Sequence, residues 1–182
     1  MKMATETKFK QTDVGMIPED WEVKRLGELI TFQRGYDLPV RKFKKGRYPV
    51  VKSNGLAGYH SEFRAKGPGV LLGRSGKLGV PMFVDEDYWP HNTTLFSKQF
   101  HNADPRFMYY FLKRLNLGSY NSGSAVPTLN RNHIHPILVG VPRLIEQQSI
   151  AKILVALDSK IEFNHRMNGT LEEIGKAIFK HW

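Results

Sequence analysis

The sequence predicts an α+β protein: a globular domain of mixed strands and short helices, followed by a long C-terminal helix of coiled-coil type. Three observations carry this expectation. First, 14 of the 16 glycines and all ten prolines fall within residues 14–142, while residues 143–182 hold Gly169, Gly175 and no proline. Second, the short apolar runs between those breakers show no strand–helix–strand rhythm, which argues against a parallel α/β sheet. Third, Ile150, Leu154, Leu157, Ile161, Asn164, Asn168, Leu171, Gly175 and Ile178 follow a 4-3-4-3 spacing. That is the seam of a helix lying along another helix. The expected division is an N-terminal tail (1–13), a domain (14–142) and a helix (143–182).

Short apolar runs bounded by glycine or proline predict strands at Trp21–Lys24, Tyr48–Lys52, Gly69–Leu72, Pro81–Val84, Thr93–Ser97 and Ile137–Val141. Leu26–Ile30 reads as one short helix. Asp104-Pro105 before RFMYYFLKRL reads as an N-cap followed by proline in the first turn of a helix. Phe107, Tyr110, Phe111 and Leu115 then recur at helical spacing and are expected to face the core. The last helix, from near Leu144 to Lys180, would be about 55 Å long. A domain of this size cannot cover such a rod, so the seam calls for a partner helix. Asn164 and Asn168 suit register-fixing positions within it.

The 182 residues are 41% hydrophobic and 12% aromatic, a composition that builds a core. Cysteine is absent, which excludes disulfides and thiolate metal sites. The opening MKMATETKFKQTD lacks the apolar segment of a secretory signal, and no run approaches the roughly 18 apolar residues of a membrane span. The expectation is a cytoplasmic protein with no membrane partner. The net charge of +10 is concentrated: residues 24–77 hold 13 basic and 3 acidic groups, so the whole excess lies there. Concentrated positive charge points to a polyanion, because neutralising phosphates releases counterions. A membrane surface is disfavoured, since no basic amphipathic helix accompanies the excess.

Catalytic constellations are missing. Gly73–Lys77 (GRSGK) lacks the glycine expected at Leu71 and the hydroxyl expected at Leu78 in a phosphate loop. No GxGxxG opens a helix. His133 and His135, and His91 and His101, form no helical HxxxH pair and read as loop or surface residues; Asp85-Glu86-Asp87 reads as an exposed turn. The chain is therefore expected to be no enzyme and to hold no metal. Arg34, Tyr36, Asn54, Tyr59, His60, Arg74, Lys77, Asn92, Tyr120 and Asn121, by contrast, lie in turn-like segments and are types that contact bases or phosphates.

Five segments resemble one family: GMIPEDWEVKRLGELI (15–30), YPVVKSNGLAGYH (48–60), GVLLGRSGKLGVPMFV (69–84), SGSAVPTLNRNHI (122–134) and PRLIEQQSIAKILVALDSKIEFNHRMNGTLEEIGKAIFKHW (142–182). The chain resembles the specificity subunit of type I restriction-modification systems, as one target-recognition domain with its following conserved helix. The resemblance implies a non-catalytic subunit that reads half of a bipartite double-stranded DNA target. It implies methyltransferase modification subunits and a restriction subunit as partners, and these would carry S-adenosylmethionine, ATP and Mg. A complete subunit would have two such domains and two antiparallel helices, so this chain resembles a half. Two copies are then expected to pair through Ile150, Leu154, Leu157, Ile161, Asn164, Asn168, Leu171 and Ile178. The alternative is a truncated docking or regulatory subunit that binds modification subunits without reading DNA. For DNA contact, residue type and the charge excess favour Arg34, Tyr36, Arg41, Lys42, Lys44, Lys45, Asn54, Tyr59, Arg74 and Lys77.

Overall fold

A computed structural model describes residues 7–120 and 127–180. Its centre is a four-stranded antiparallel sheet in the order β4 (Ile30–Arg34), β10 (Thr94–Phe100), β7 (Gly69–Gly73), β8 (Pro81–Val84). Strand β7 is the hub. All five of its residues are buried, and they alternate between two cores. Val70 and Leu72 join Phe32, Leu95, Phe107, Met108 and Leu112 in the larger cluster, while Leu71 joins Val51, Tyr88 and Phe96 on the opposite face. A strand buried on both faces reads as a continuous apolar run, which is why GVLLG was recognisable.

A second sheet has the order β6 (Gly55–His60), β5 (Tyr48–Lys52), β9 (Trp89–Pro90), with β5 and β9 parallel. Strand β3 (Glu22–Arg25) pairs with β11 (Leu138–Val141), and β1 (Phe9–Thr12) forms a hairpin with β2 (Gly15–Pro18). Helix α1 (Pro105–Arg114) starts at Asp104, whose carboxylate accepts from the Phe107 amide at 2.8 Å. Helix α2 (Arg131–Ile134) is a single turn capped by Asn130.

Three details differ from the sequence reading. Ordered pairing begins at Phe9, so the expected tail contributes a strand whose polar residues gave no apolar signal. The helix expected at Leu26–Ile30 is a three-residue 3-10 turn, Leu26–Glu28, held by the Glu28 carboxylate on the Arg25 amide (2.7 Å); Ile30 already starts β4. In α1, Met108 and Leu112 are buried with Phe107 and Phe111, whereas Tyr110 turns outward to donate to Asp158 at 2.8 Å.

Helix α3 (Leu144–Lys180) runs unbroken for 37 residues through both of its glycines. Its root is locked to the domain. Gln147 is 1% exposed, accepts from the Asp104 amide (2.9 Å) and donates to the Pro142 carbonyl (2.9 Å). Trp21 Nε1 donates to Glu146 at 3.1 Å, and Ala151 and Ile150 pack on the larger core. From about Leu157 onward the helix leaves the domain, with Asp158 its last tie among the described residues, to Tyr110. Leu157, Ile161 and Leu171 are 52%, 54% and 59% exposed, and Met167, Ile174 and Ile178 are exposed with them.

Candidate nucleic-acid interface

Two adjoining clefts open beside the end of β4, sharing Tyr36 and Asp37 in their walls. The first, of about 890 Å³, gathers Arg34, Arg74, Lys98 and Arg131 with Gln33 and Asn92. These come from five places in the chain: the end of β4, the β7–β8 loop, the β9–β10 turn, β10 and the start of α2. The second, of about 700 Å³, gathers Arg41, Lys42, Lys44 and Arg64 around the buried ring of Trp89. Eight cations thus face two carboxylates, Asp37 and Glu62. Asp37 accepts from Asn92 Nδ2 at 2.8 Å, and Glu62 stands 3.8 Å from Lys44. Among the described residues, Arg34, Arg74, Lys98 and Arg131 form no ion pair.

Local structure explains the convergence. The β7–β8 loop needs left-handed backbone at Gly76 (φ +80) and Gly79 (φ +68), a conformation open to glycine and strained for most other residues. That loop joins antiparallel strands and opens no helix, so its GRSGK motif has no phosphate-loop geometry. The Arg74 amide donates to the Thr93 carbonyl (2.8 Å) and its carbonyl accepts from the Leu129 amide (2.9 Å). Burial, and after it the neighbouring Arg34 guanidinium, lower the pKa of Arg74. Lys98 is the extra residue of a β-bulge between Ser97 and Gln99, and such a bulge re-aims a side chain. Arg64, exposed to solvent, lies over the Trp89 ring at 5.0 Å from its centroid, a cation–π contact.

Of the residues singled out in sequence, Arg34, Tyr36 and Arg74 line the first cleft; Tyr36, Arg41, Lys42 and Lys44 line the second. Lys45 is exposed on the same loop as Lys44. Asn54 sits at the β5–β6 turn and Lys77 on the β7–β8 loop; a Cβ at Gly76 would lie 3.3 Å from Ser53 Oγ, so these two tips are neighbours. Tyr59 is carried elsewhere, onto a surface shared with Asp85 and Glu86. Asn121 lies outside the described residues. Asn92 enters the first cleft, while Tyr120 is exposed and His60 is buried against Trp89. Gln33, Arg64, Lys98 and Arg131 are additions. The charge-rich stretch contains Arg64, but nothing in the local sequence marks the other three.

The histidines are not all surface groups. His91 is buried, and His135 Nε2 accepts from the Phe32 amide at 3.0 Å. Burial lowers both pKa values, helped by Lys52 for His91 and by Arg131 for His135, so both rings act as neutral structural acceptors. Among the described residues no group of three or more His, Asp or Glu is placed to hold a metal ion, and no helix is long and apolar enough to cross a membrane.

Residues 18–173 match the family described as Type I restriction modification DNA specificity domain. The whole chain aligns, at 27% identity, with 48% of the MjaIX type I specificity subunit of Methanocaldococcus jannaschii. It aligns at 27% identity over 83% of its length with 38% of the EcoprrI specificity subunit of Escherichia coli. The chain therefore spans about half the length of the curated relatives it matches. Its fold is similar to part of the type I S subunit from M. genitalium, with TM-score 0.66 and 16% identity over 89% of this chain and 42% of that one. The HsdS subunit from Thermoanaerobacter tengcongensis is similar at TM-score 0.62, over 85% and 41% of the two chains.

Proposed function

This chain belongs to the type I restriction modification DNA specificity family, and from that premise we propose that it reads one half of a split double-stranded DNA target for a restriction-modification complex. The observation that carries the reading is the pair of clefts, in which eight cations meet two already engaged carboxylates. Such a surface is incomplete without a polyanion. Lysines and exposed arginines hold phosphates, while Gln33, Asn92 and the better-fixed arginines can address base edges.

The exposed face of α3 supports the second half of the proposal, pairing with another such helix. In an antiparallel two-fold pairing centred on Arg166, Asn164 of one copy lies opposite Asn168 of the other. The same register sets Ile161 opposite Leu171 and Leu154 opposite Ile178, so polar meets polar and apolar meets apolar. Two reading domains then sit at opposite ends of one rod, and a symmetric target follows. This chain supplies recognition and docking; methylation and cleavage, with S-adenosylmethionine, ATP and Mg, reside in modification and restriction subunits.

The test is to co-express the chain with a modification subunit and sequence the methylated genome. A methylated split motif absent from cells lacking the chain is the expected result. An intact complex that leaves the methylation pattern unchanged would reduce the chain to a docking subunit.

A further inference from the structure

Resting on the DNA-reading function above, we infer that Arg74 is the base-specificity residue of the first cleft. It takes the O6/N7 edge of a guanine, while Asp37 accepts from the amino group of the paired cytosine. Arg34, Lys98 and Arg131 serve the flanking phosphates.

Fixation separates Arg74 from the other cations of the cleft. Its amide and carbonyl are both engaged, by Thr93 and Leu129, which ties the β7–β8 loop to the start of β10 and to the segment before α2. A backbone held at both groups fixes the point from which the side chain reaches into the cleft, as discrimination between bases requires. The guanidinium is partly buried and has no carboxylate partner among the described residues. Its five donors in a planar fork therefore remain unspent, and guanine offers the matching pair of acceptors. Arg34 and Lys98, in contrast, are exposed, at a strand end and a bulge. Long, exposed cations of that kind suit phosphates, which carry no sequence information.

Asp37 supplies the complementary half. Asn92 Nδ2 holds one of its oxygens at 2.8 Å, which orients the carboxylate and leaves it able to accept again. Guanine presents acceptors in the major groove and cytosine presents a single amino donor. A donor fork and an oriented acceptor lining one cleft therefore match a G·C pair. An A·T pair would leave the arginine facing an adenine amino group, donor against donor.

The experiment selects duplexes from a randomised library with the chain in complex with a modification subunit, then measures binding to a single-substitution panel. The wild type is expected to demand G·C at one position. R74A and R74K should relax that position about five- to hundredfold and leave the rest of the motif unchanged. D37N should weaken the same position. R34A and K98A should lower binding to all sequences alike and reduce the salt slope by about one each. Replacing the motif guanine with 7-deazaguanine, which lacks the N7 acceptor, should weaken the wild type and leave R74A unaffected, a readout that misfolding cannot imitate. Equal loss of R74A on every sequence, or equal sensitivity of R74A to 7-deazaguanine, overturns the inference while sparing the DNA-reading function. A wild type without any sequence preference overturns both.

Discussion

The globular domain and the distal half of α3 are built from one chain, yet they leave opposite kinds of chemistry unsatisfied. The domain closes its apolar surface into three buried clusters, two of them on either side of β7, and leaves cations without counter-charges in its clefts. The helix past Asp158 closes its backbone hydrogen bonds and leaves a row of large apolar side chains in water. In the proposed function, the first region takes a polyanion and the second takes another helix. The two proposed associations would rest on counterion release and on apolar burial, so conditions that weaken the first need not weaken the second.

Salt is the strongest way to separate them. Raising it from 50 to 200 mM should lower DNA affinity about a thousandfold or more if six or more phosphates are engaged, read by anisotropy titration. Helix pairing, read by sedimentation over the same range, should hold or strengthen. Equal weakening of both would mean that charge also holds the helices together.

Next in size is Leu157→Lys on the exposed seam. Each copy loses one apolar contact, so pairing should weaken by about 3 kcal/mol or more across the two-fold. A single domain's affinity for a half-site should stay unchanged. Gln147→Ala attacks the junction of the two regions. It strands the Asp104 amide and the Pro142 carbonyl in a buried place, at a cost of about 1–3 kcal/mol, or a melting point lower by about 2–10 °C. An unchanged melting curve would show that the junction contributes little.

The smallest effect is on pH. His91 and His135 have folded pKa values below the ordinary histidine value, so the unfolded chain binds protons first as pH falls. Their contribution is present above about pH 6.5 and is lost as pH drops through the lowered values. Melting temperature should therefore decline from pH 7 to pH 5. His135→Gln, which can still accept from Phe32, should flatten part of that slope.

How much of this was legible in the sequence differs between the same two regions. The helix was plain, because a 4-3 repeat is a local signal; Leu157, Ile161, Leu171 and Ile178 of that repeat are exposed, whereas Ile150 packs on the domain core. Strands β5, β7 and β8 were legible as apolar runs between breakers. Strand β6, with the sequence GLAGYH, alternates poorly because it lies at a sheet edge, and β4 was hidden when LGELI was read as helical. The clefts were half legible. The charge excess located Arg34, Arg74 and the Arg41–Lys45 loop, but Lys98 needs a bulge and Arg131 a distant turn to arrive beside them. Conversely, Tyr59 looked suitable by type and is turned toward acidic neighbours by its place on β6. Composition reports which groups exist; the fold decides which of them meet.

The locked root of α3 has a further, geometric consequence. From Asp158 to Lys180 the free helix extends about 33 Å. A tilt of about 6° at the root would displace its tip by about 3.4 Å, one base-pair step along DNA. Trp21 holds Glu146 and Tyr110 holds Asp158 from the domain side, while Gln147 reaches back from the helix to Asp104 and Pro142; burial and then the Asp158 acceptor push the Tyr110 phenol up to about 12, so it stays a donor. In a pair built on this rod, the distance between the two reading heads is set by an angle as well as by a length. Those three side chains act as the bearing that holds the angle.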